Sequence, residues 1–330
     1  MKRTVVIGLL ILVLGIVVAG ISFAVMGFNF GGFDGAKYEA VTTEIGTDYS
    51  KIDIQAKIED IRILRIDAKA PTLRVVCSEN SRLKHTVTVE NGTLTIRTVE
   101  TGKWYERFGI FSTGKPEITL YIPDQPYDLQ VATETGDVEV CGSSPYGEVS
   151  IRAGTGDVRA YAEAGGSVTV QTSTGDILWT REDSTDPRNL SIAGDLSFTT
   201  STGEIRASSI TCQGTAEIRV STGDTRLASF GCAALESTGS TGDITLTDTV
   251  VGGSLSIRRS TGDVRFERCD AGELHITTST GSVTGTLLTD KVFFTKTETG
   301  KVSVPKSAAG GECEITTSTG DIKIGFSPAM

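Results

Sequence analysis

Ile257 to Phe266, IRRSTGDVRF, is one copy of a pattern that the last two-thirds of the chain repeats ten times. The Thr-Gly pairs place glycines at Gly136, Gly156, Gly175, Gly203, Gly223, Gly242, Gly262, Gly281, Gly300 and Gly320, at intervals of 20, 19, 28, 20, 19, 20, 19, 19 and 20 residues. A fixed period of this length means that one small unit is stacked on itself. Only the interval between Gly175 and Gly203 departs from it.

Aligned on that glycine, each copy shows two runs of alternating apolar residues. Position -7 is Leu129, Val149, Val168, Leu196, Ala216, Leu235, Leu255, Leu274, Phe293 and Cys313. Position -5 is mostly Val, Ile or Phe, with Ser237 and Thr295 as exceptions, and position +2 is Val or Ile except at Thr225. A period of two on both sides of a corner predicts two strands pointing their apolar residues to the same interior. One such pair cannot bury its apolar face alone. Stacking ten copies at about 4.8 Å lines like residues into ladders and makes a rod of roughly 45 to 50 Å. The chain is therefore predicted to be all-β, a parallel β-solenoid of about ten coils, right-handed by the usual preference of parallel crossovers. The corner glycine supplies positive φ. Position -1 is Thr in every copy and -3 is Thr in six. Continued alternation turns both inward, where their hydroxyls can satisfy the turn backbone and are not available to match ice.

Outside the rod the pattern is ionic. Position +1 is acidic in eight copies, with Ser282 and Lys301 as exceptions, and +3 carries Arg159, Arg206, Arg226, Arg265 and Lys323. Stacked carboxylates are one way to hold calcium, but the glycine-aspartate nonapeptide of calcium β-rolls is absent. Basic neighbours on the same face offset the repulsion without a metal, so a solvated charge ladder is expected, with no metal and no cofactor.

The whole chain of 330 residues has a formal net charge of -10, which argues against nucleic acid as a partner. Lys2 and Arg3 precede a run without charged residues from Thr4 to Phe33, long enough to cross a bilayer as a helix. An uncleaved signal-anchor at 1–28 is expected, a single pass with the remainder outside; exits after Ala19 or Ala24 leave cleavage open. A glycine-rich tether follows at 29–37, an N-terminal β region that caps or continues the solenoid at 38–130, and the repeats at 131–330. The six cysteines include no CxxC pair. Cys212 and Cys232 fall at the same place in neighbouring coils, as small buried hydrophobes or as a disulfide.

Two interruptions are the candidates for partner binding. Within the segment 101–115, Trp104, Tyr105, Phe108, Ile110 and Phe111 form the densest aromatic cluster of the chain. They either contact a partner or the bilayer surface, or fold back as core. The long interval carries Glu182, Asp183 and Asp186, and insertions into repeats map to loops that often bind partners. Trp104, Tyr105, Phe108, Phe111, Glu182, Asp183 and Asp186 are thus the candidate partner-binding residues. No catalytic constellation emerges, since His85 and His275 are far apart in sequence and no phosphate loop or nucleophile elbow is present.

His85 to Arg97 reads as a hairpin turning at Asn91-Gly92, both of which tolerate the positive φ of a type I′ turn. That hairpin, the ITLYIP strand from Ile118 to Pro123 and the run of STGD(V/I) copies behind an apolar N-terminal segment resemble a family of bacterial envelope β-strand-repeat proteins of unknown function. Its members, LiaG-like proteins among them, are described as candidate adhesins. The likeness spans about residues 38–330 and brings no catalytic residues with it. It implies a non-enzymatic, membrane-anchored cell-surface protein acting as an adhesin or envelope scaffold, with an envelope or surface protein or glycan as partner. Two other readings stay open: an accessory or sensory protein of a cell-envelope stress system, and a carbohydrate-active β-helix protein.

Overall fold

A computed structural model of the chain describes residues 37–46, 48–66, 72–101, 115–142, 145–181 and 189–327. The expected signal-anchor and all seven candidate partner-binding residues lie outside the described residues. Among the described residues there are 26 strands and no helix, and none that is long and apolar enough to cross a membrane.

The coils stack in register, as parallel ladders require. One face pairs Leu129, Val149, Val168, Leu196, Ala216, Leu235, Leu255, Leu274 and Cys313 in succession. A second pairs Val138, Val158, Ile177, Ile205, Thr225, Ile244, Val264, Val283 and Ile322. Every one of these side chains is buried, so the alternation read from the sequence is the alternation that fills the interior.

The corner between these faces is built as expected, and more tightly. Its ten glycines have φ between 130° and 157°, and a Cβ on any of them would meet a carbonyl oxygen of the neighbouring coil at 1.9 to 2.2 Å. Glycine is required here by contact as well as by conformation. A second corner was not visible in the repeat: Ser209, Ser229, Asp248 and Arg268 turn the chain again with φ near 50°, each six residues after a corner glycine. The long strands Ile205–Cys212, Thr225–Cys232, Ile244–Thr261 and Val264–Thr280 bend there, which gives these coils a third side holding Ile210 and Phe230.

The threonines divide. At -3, Thr172, Thr200, Thr278, Thr297 and Thr317 point inward and donate to a corner glycine carbonyl of an adjacent coil at 2.9 to 3.3 Å. At -1 the inward expectation fails. All ten threonines are exposed, because -2 and -1 both face out where the strand bends into the corner. Their register is continuous, Thr135 to Thr155 to Thr174 and onward to Thr319 and Thr299.

At both ends the stack departs from sequence order. The coil formed by Lys51–Ala56 and Asp60–Ile66 lies between Asp128–Thr135 with Val138–Cys141 on one side and Thr93–Glu100 with Glu117–Pro123 on the other. Antiparallel strands then close that end: Leu83–Glu90 on Thr93–Glu100, Leu73–Glu79 on Glu117–Pro123, and Glu39–Ile45 outermost. The predicted hairpin is present, with Asn91 and Gly92 at φ 50° and 72°. At the other end the last strands, Gly311–Thr319 and Ile322–Phe326, slot between the Gly281 coil and the Gly300 coil. The penultimate coil is therefore the physical end of the rod, and the C-terminal coil is interior to it.

Candidate functional site

The acidic ladder is the most repeated charged feature, and its geometry explains why it is mostly aspartate. The Oδ1 atoms of Asp60, Asp137, Asp157, Asp176, Asp224, Asp243, Asp263 and Asp321 each accept the backbone N–H of the +1 residue in an adjacent coil, at 2.7 to 3.0 Å. The corner leaves that amide without a strand partner, and a short carboxylate reaches it. The second oxygen meets the basic row: Arg159 to Asp157 at 2.6 Å, Arg226 to Asp224 at 2.9 Å, Arg265 to Asp263 at 2.7 Å and to Asp243 at 3.0 Å. For Asp243, burial pushes the pKa up, but the Asp263 amide and Arg265 outweigh it and hold the carboxyl below its ordinary value. These carboxylates are spent on the fold, and no group of His, Cys, Asp or Glu suited to a metal occurs among the described residues.

Two polar clusters lie inside the protein. Arg259 takes a -3 position and runs into the core, where it donates to Thr225 at 2.8 Å and Ser237 at 3.4 Å across the space left by Gly239. Thr225 and Ser237 are two of the residues that break the apolar ladders, and the buried guanidinium is their reason. The second cluster pins the N-terminal hairpin. Glu59, fully buried, accepts the Lys57 and Ile58 amides at 2.8 Å, Thr98 Oγ1 at 2.7 Å, and lies 3.0 Å from His85 Nε2. Glu79 accepts the His85 amide at 2.8 Å and approaches Nδ1 at 3.4 Å. Burial would raise the Glu59 pKa, but the donors from His85, Thr98 and the backbone prevail and hold it down at about 2. Glu59 and His85, 26 residues apart in sequence, meet here through the permuted end, which no spacing rule reveals. His275, in contrast, stays on the outer face near Glu273 and Glu314.

The sequence-predicted insertion springs from a fixed base. Trp179 is buried, donates Nε1 to Ala162 O at 3.0 Å and packs on Phe198, while Asn189 at the return donates to Thr211 Oγ1 at 3.1 Å. At this coil Leu178 stands in the basic row between Arg159 and Arg206. A cavity of about 200 Å³ opens there, lined by Asp157, Asp176, Ile177, Leu178 and Glu204 with the two arginines. It is smaller than the clefts of about 300 to 1,000 Å³ that enclose small ligands, so a surface contact fits it better than an enclosed substrate. Cys212 and Cys232 lie buried in neighbouring coils with no disulfide between them, and burial pushes the Cys232 thiol up to about 12.

The family model for Toastrack DUF4097 matches residues 49–325, most of the chain. The chain belongs to the Toastrack family. No curated protein matches this Toastrack chain. Among solved structures it is similar to a candidate lipid-binding protein of Parabacteroides distasonis at 18% identity, over 87% of this chain and 98% of that one, with a TM-score of 0.46. It is also similar to a candidate adhesin of Bacteroides fragilis at 14% identity, over 87% and 97%, with a TM-score of 0.40. A candidate adhesin of P. distasonis resembles it at 10% identity, over 88% and 100%, with a TM-score of 0.43. The family match over residues 49–325 shows the β-repeat family of unknown function expected from the hairpin and the STGD copies.

Proposed function

We propose that this Toastrack protein is a non-enzymatic, membrane-anchored cell-surface rod that presents its sides to an envelope or surface partner, protein or glycan. The observation that carries the reading is the commitment of the corner carboxylates to backbone amides and arginines. The groups most suited to chemistry act as mortar, and what the rod offers outward is repetition: ten exposed threonines in register along one corner. A ladder of hydroxyls at strand spacing suits contact with an extended surface better than turnover of a small substrate. The apolar run at the N-terminus supports the anchor, with the positive-inside rule placing the rod outside. Proximity labelling on intact cells with a label carried at the C-terminus tests it. Labelling of envelope proteins or glycans by an outside-acting label is expected; labelling confined to cytoplasmic proteins overturns the reading, as does release of reducing sugar from envelope glycans by the purified full chain.

A further inference from the structure

The two ends of the rod are finished differently. At the N-terminal end antiparallel strands cover the interior, and Leu73, Val75, Ile118 and Leu120 are fully buried. At the other end the Gly300 coil has neighbours on one side only: Lys291–Thr299 pairs with Gly311–Thr319, Val302–Ser303 with Ile322–Phe326, and among the described residues nothing pairs beyond them. The residues at ladder positions show the consequence. Ile322, at +2 in the coil beneath, is 0% exposed, whereas Val302 at the same position is 46% exposed. On the outer face of the same coil Phe294, in register with Glu314, is 55% exposed, and Phe293 and Phe326 lean together at 6.2 Å over the end of the core. A solenoid normally covers such an end, since open strand edges and apolar ladders invite pairing.

We infer that this end docks on the same end of a second copy of the chain, across a two-fold axis, with the Lys291–Thr299 edges pairing antiparallel. Self-complementarity of the edge selects this occupant. With Thr297 on the axis, Lys296 of each copy faces Glu298 of the other, and Thr295 faces Thr299, so the two exposed charges of the strand form two reciprocal ion pairs. The same register sets Phe294 of each copy opposite Gly300 of the other, at the corner that leads to the uncovered Val302, and continues each apolar interior into the next. The N-terminal end differs: its interior is closed, its outer strand Glu39–Ile45 carries acids at Glu39 and Glu44 with no lysine, and on its other edge strand, Leu83–Glu90, Lys84 is already paired with Glu79 at 3.2 Å. An isologous contact of this kind closes at two copies and cannot propagate.

The test is the mass of the full-length chain in detergent by native mass spectrometry across a dilution series, with three variants. Unchanged protein is expected as a dimer. K296E turns each of the two ion pairs into a pair of opposed carboxylates and should weaken dimerisation by about tenfold or more. K296E/E298K restores both pairs with reversed sign and should restore the dimer. F294S should weaken it with an unchanged melting temperature, since the side chain is already exposed. A monomer throughout, an open-ended series of larger species, or a dimer indifferent to K296E would each overturn the inference; the last outcome would place the contact elsewhere in the chain.

Discussion

The repeat fixes the role of single residues most firmly at the corner. In Gly223→Ala the new methyl would fall 1.9 Å from the Gly203 carbonyl oxygen at a φ of 138°, and neither backbone can move without disturbing a ladder on each side. A loss of about 3 kcal/mol or more in chemical denaturation is expected. Asp263→Ala removes the acceptor for the Ser282 amide and the partner of Arg265; it should cost about 1 to 3 kcal/mol, with Asp263→Asn recovering part of that. Arg259 tests the opposite case, a residue that departs from the repeat. Arg259→Met alone should destabilise by about 1 to 3 kcal/mol, because Thr225 and Ser237 lose their partner. Arg259→Met with Thr225→Val and Ser237→Ile restores the apolar ladders and should regain the wild-type melting temperature or exceed it, a recovery absent if the three residues act independently. The inward ladders were legible in the sequence because period-two alternation survives ten copies. The exposed position of Thr at -1 was not, because the local bend puts two successive residues outside. The Arg259 cluster was visible only as unexplained exceptions, since Arg259 and Thr225 lie 34 residues apart and meet by crossing coils.

At the scale of elements, the strand pair joined by Asn91-Gly92 was legible because its turn chemistry is local, but what it does was not. The hairpin returns to lie against the first coil, and Glu59, Glu79, His85 and Thr98 join four separate pieces of chain there. Lys84 on the outside and the buried Cys77 complete the titratable groups around Glu79. The Glu59 carboxyl falls from 4.5 to about 2 on folding, so the folded state binds its proton less readily than the unfolded chain. Its contribution to stability is complete above about pH 4.5 and is lost as the pH falls toward 2, which corresponds to roughly 3 kcal/mol. Denaturant titrations at pH 5.0 and 2.5 should therefore show a steep fall for the wild type and a shallower one for Glu59→Gln. Equal slopes would mean that the cluster does not hold the charge. The second corner of the coils escaped sequence reading for a related reason: Ser209, Ser229, Asp248 and Arg268 share a backbone conformation and not a residue type.

For the molecule as a whole, stability in a stacked array depends on how many neighbours a coil has, not on where it falls in the sequence. The strands Gly311–Thr319 and Ile322–Phe326 come last in the chain, yet they pair on both sides, with Leu274 and Phe293 flanking Cys313 in one row. The Gly300 coil comes earlier and pairs on one side. Hydrogen exchange in the folded protein should therefore invert the usual order at a chain end: amides of 311–326 should exchange slowly, with those of 205–287, while amides of 291–303 exchange faster. Dimerisation through the free edge should slow 291–299 alone, and the K296E variant should abolish that slowing. Exchange that quickens steadily toward residue 326 would mean that the coils stack in sequence order, and the slotting of the last strands beneath the penultimate coil would have to be abandoned. Ten copies so alike in their corner chemistry make such an exchange of places nearly invisible in sequence, because Gly281, Gly300 and Gly320 each offer the same ladder to whichever coil arrives beside them.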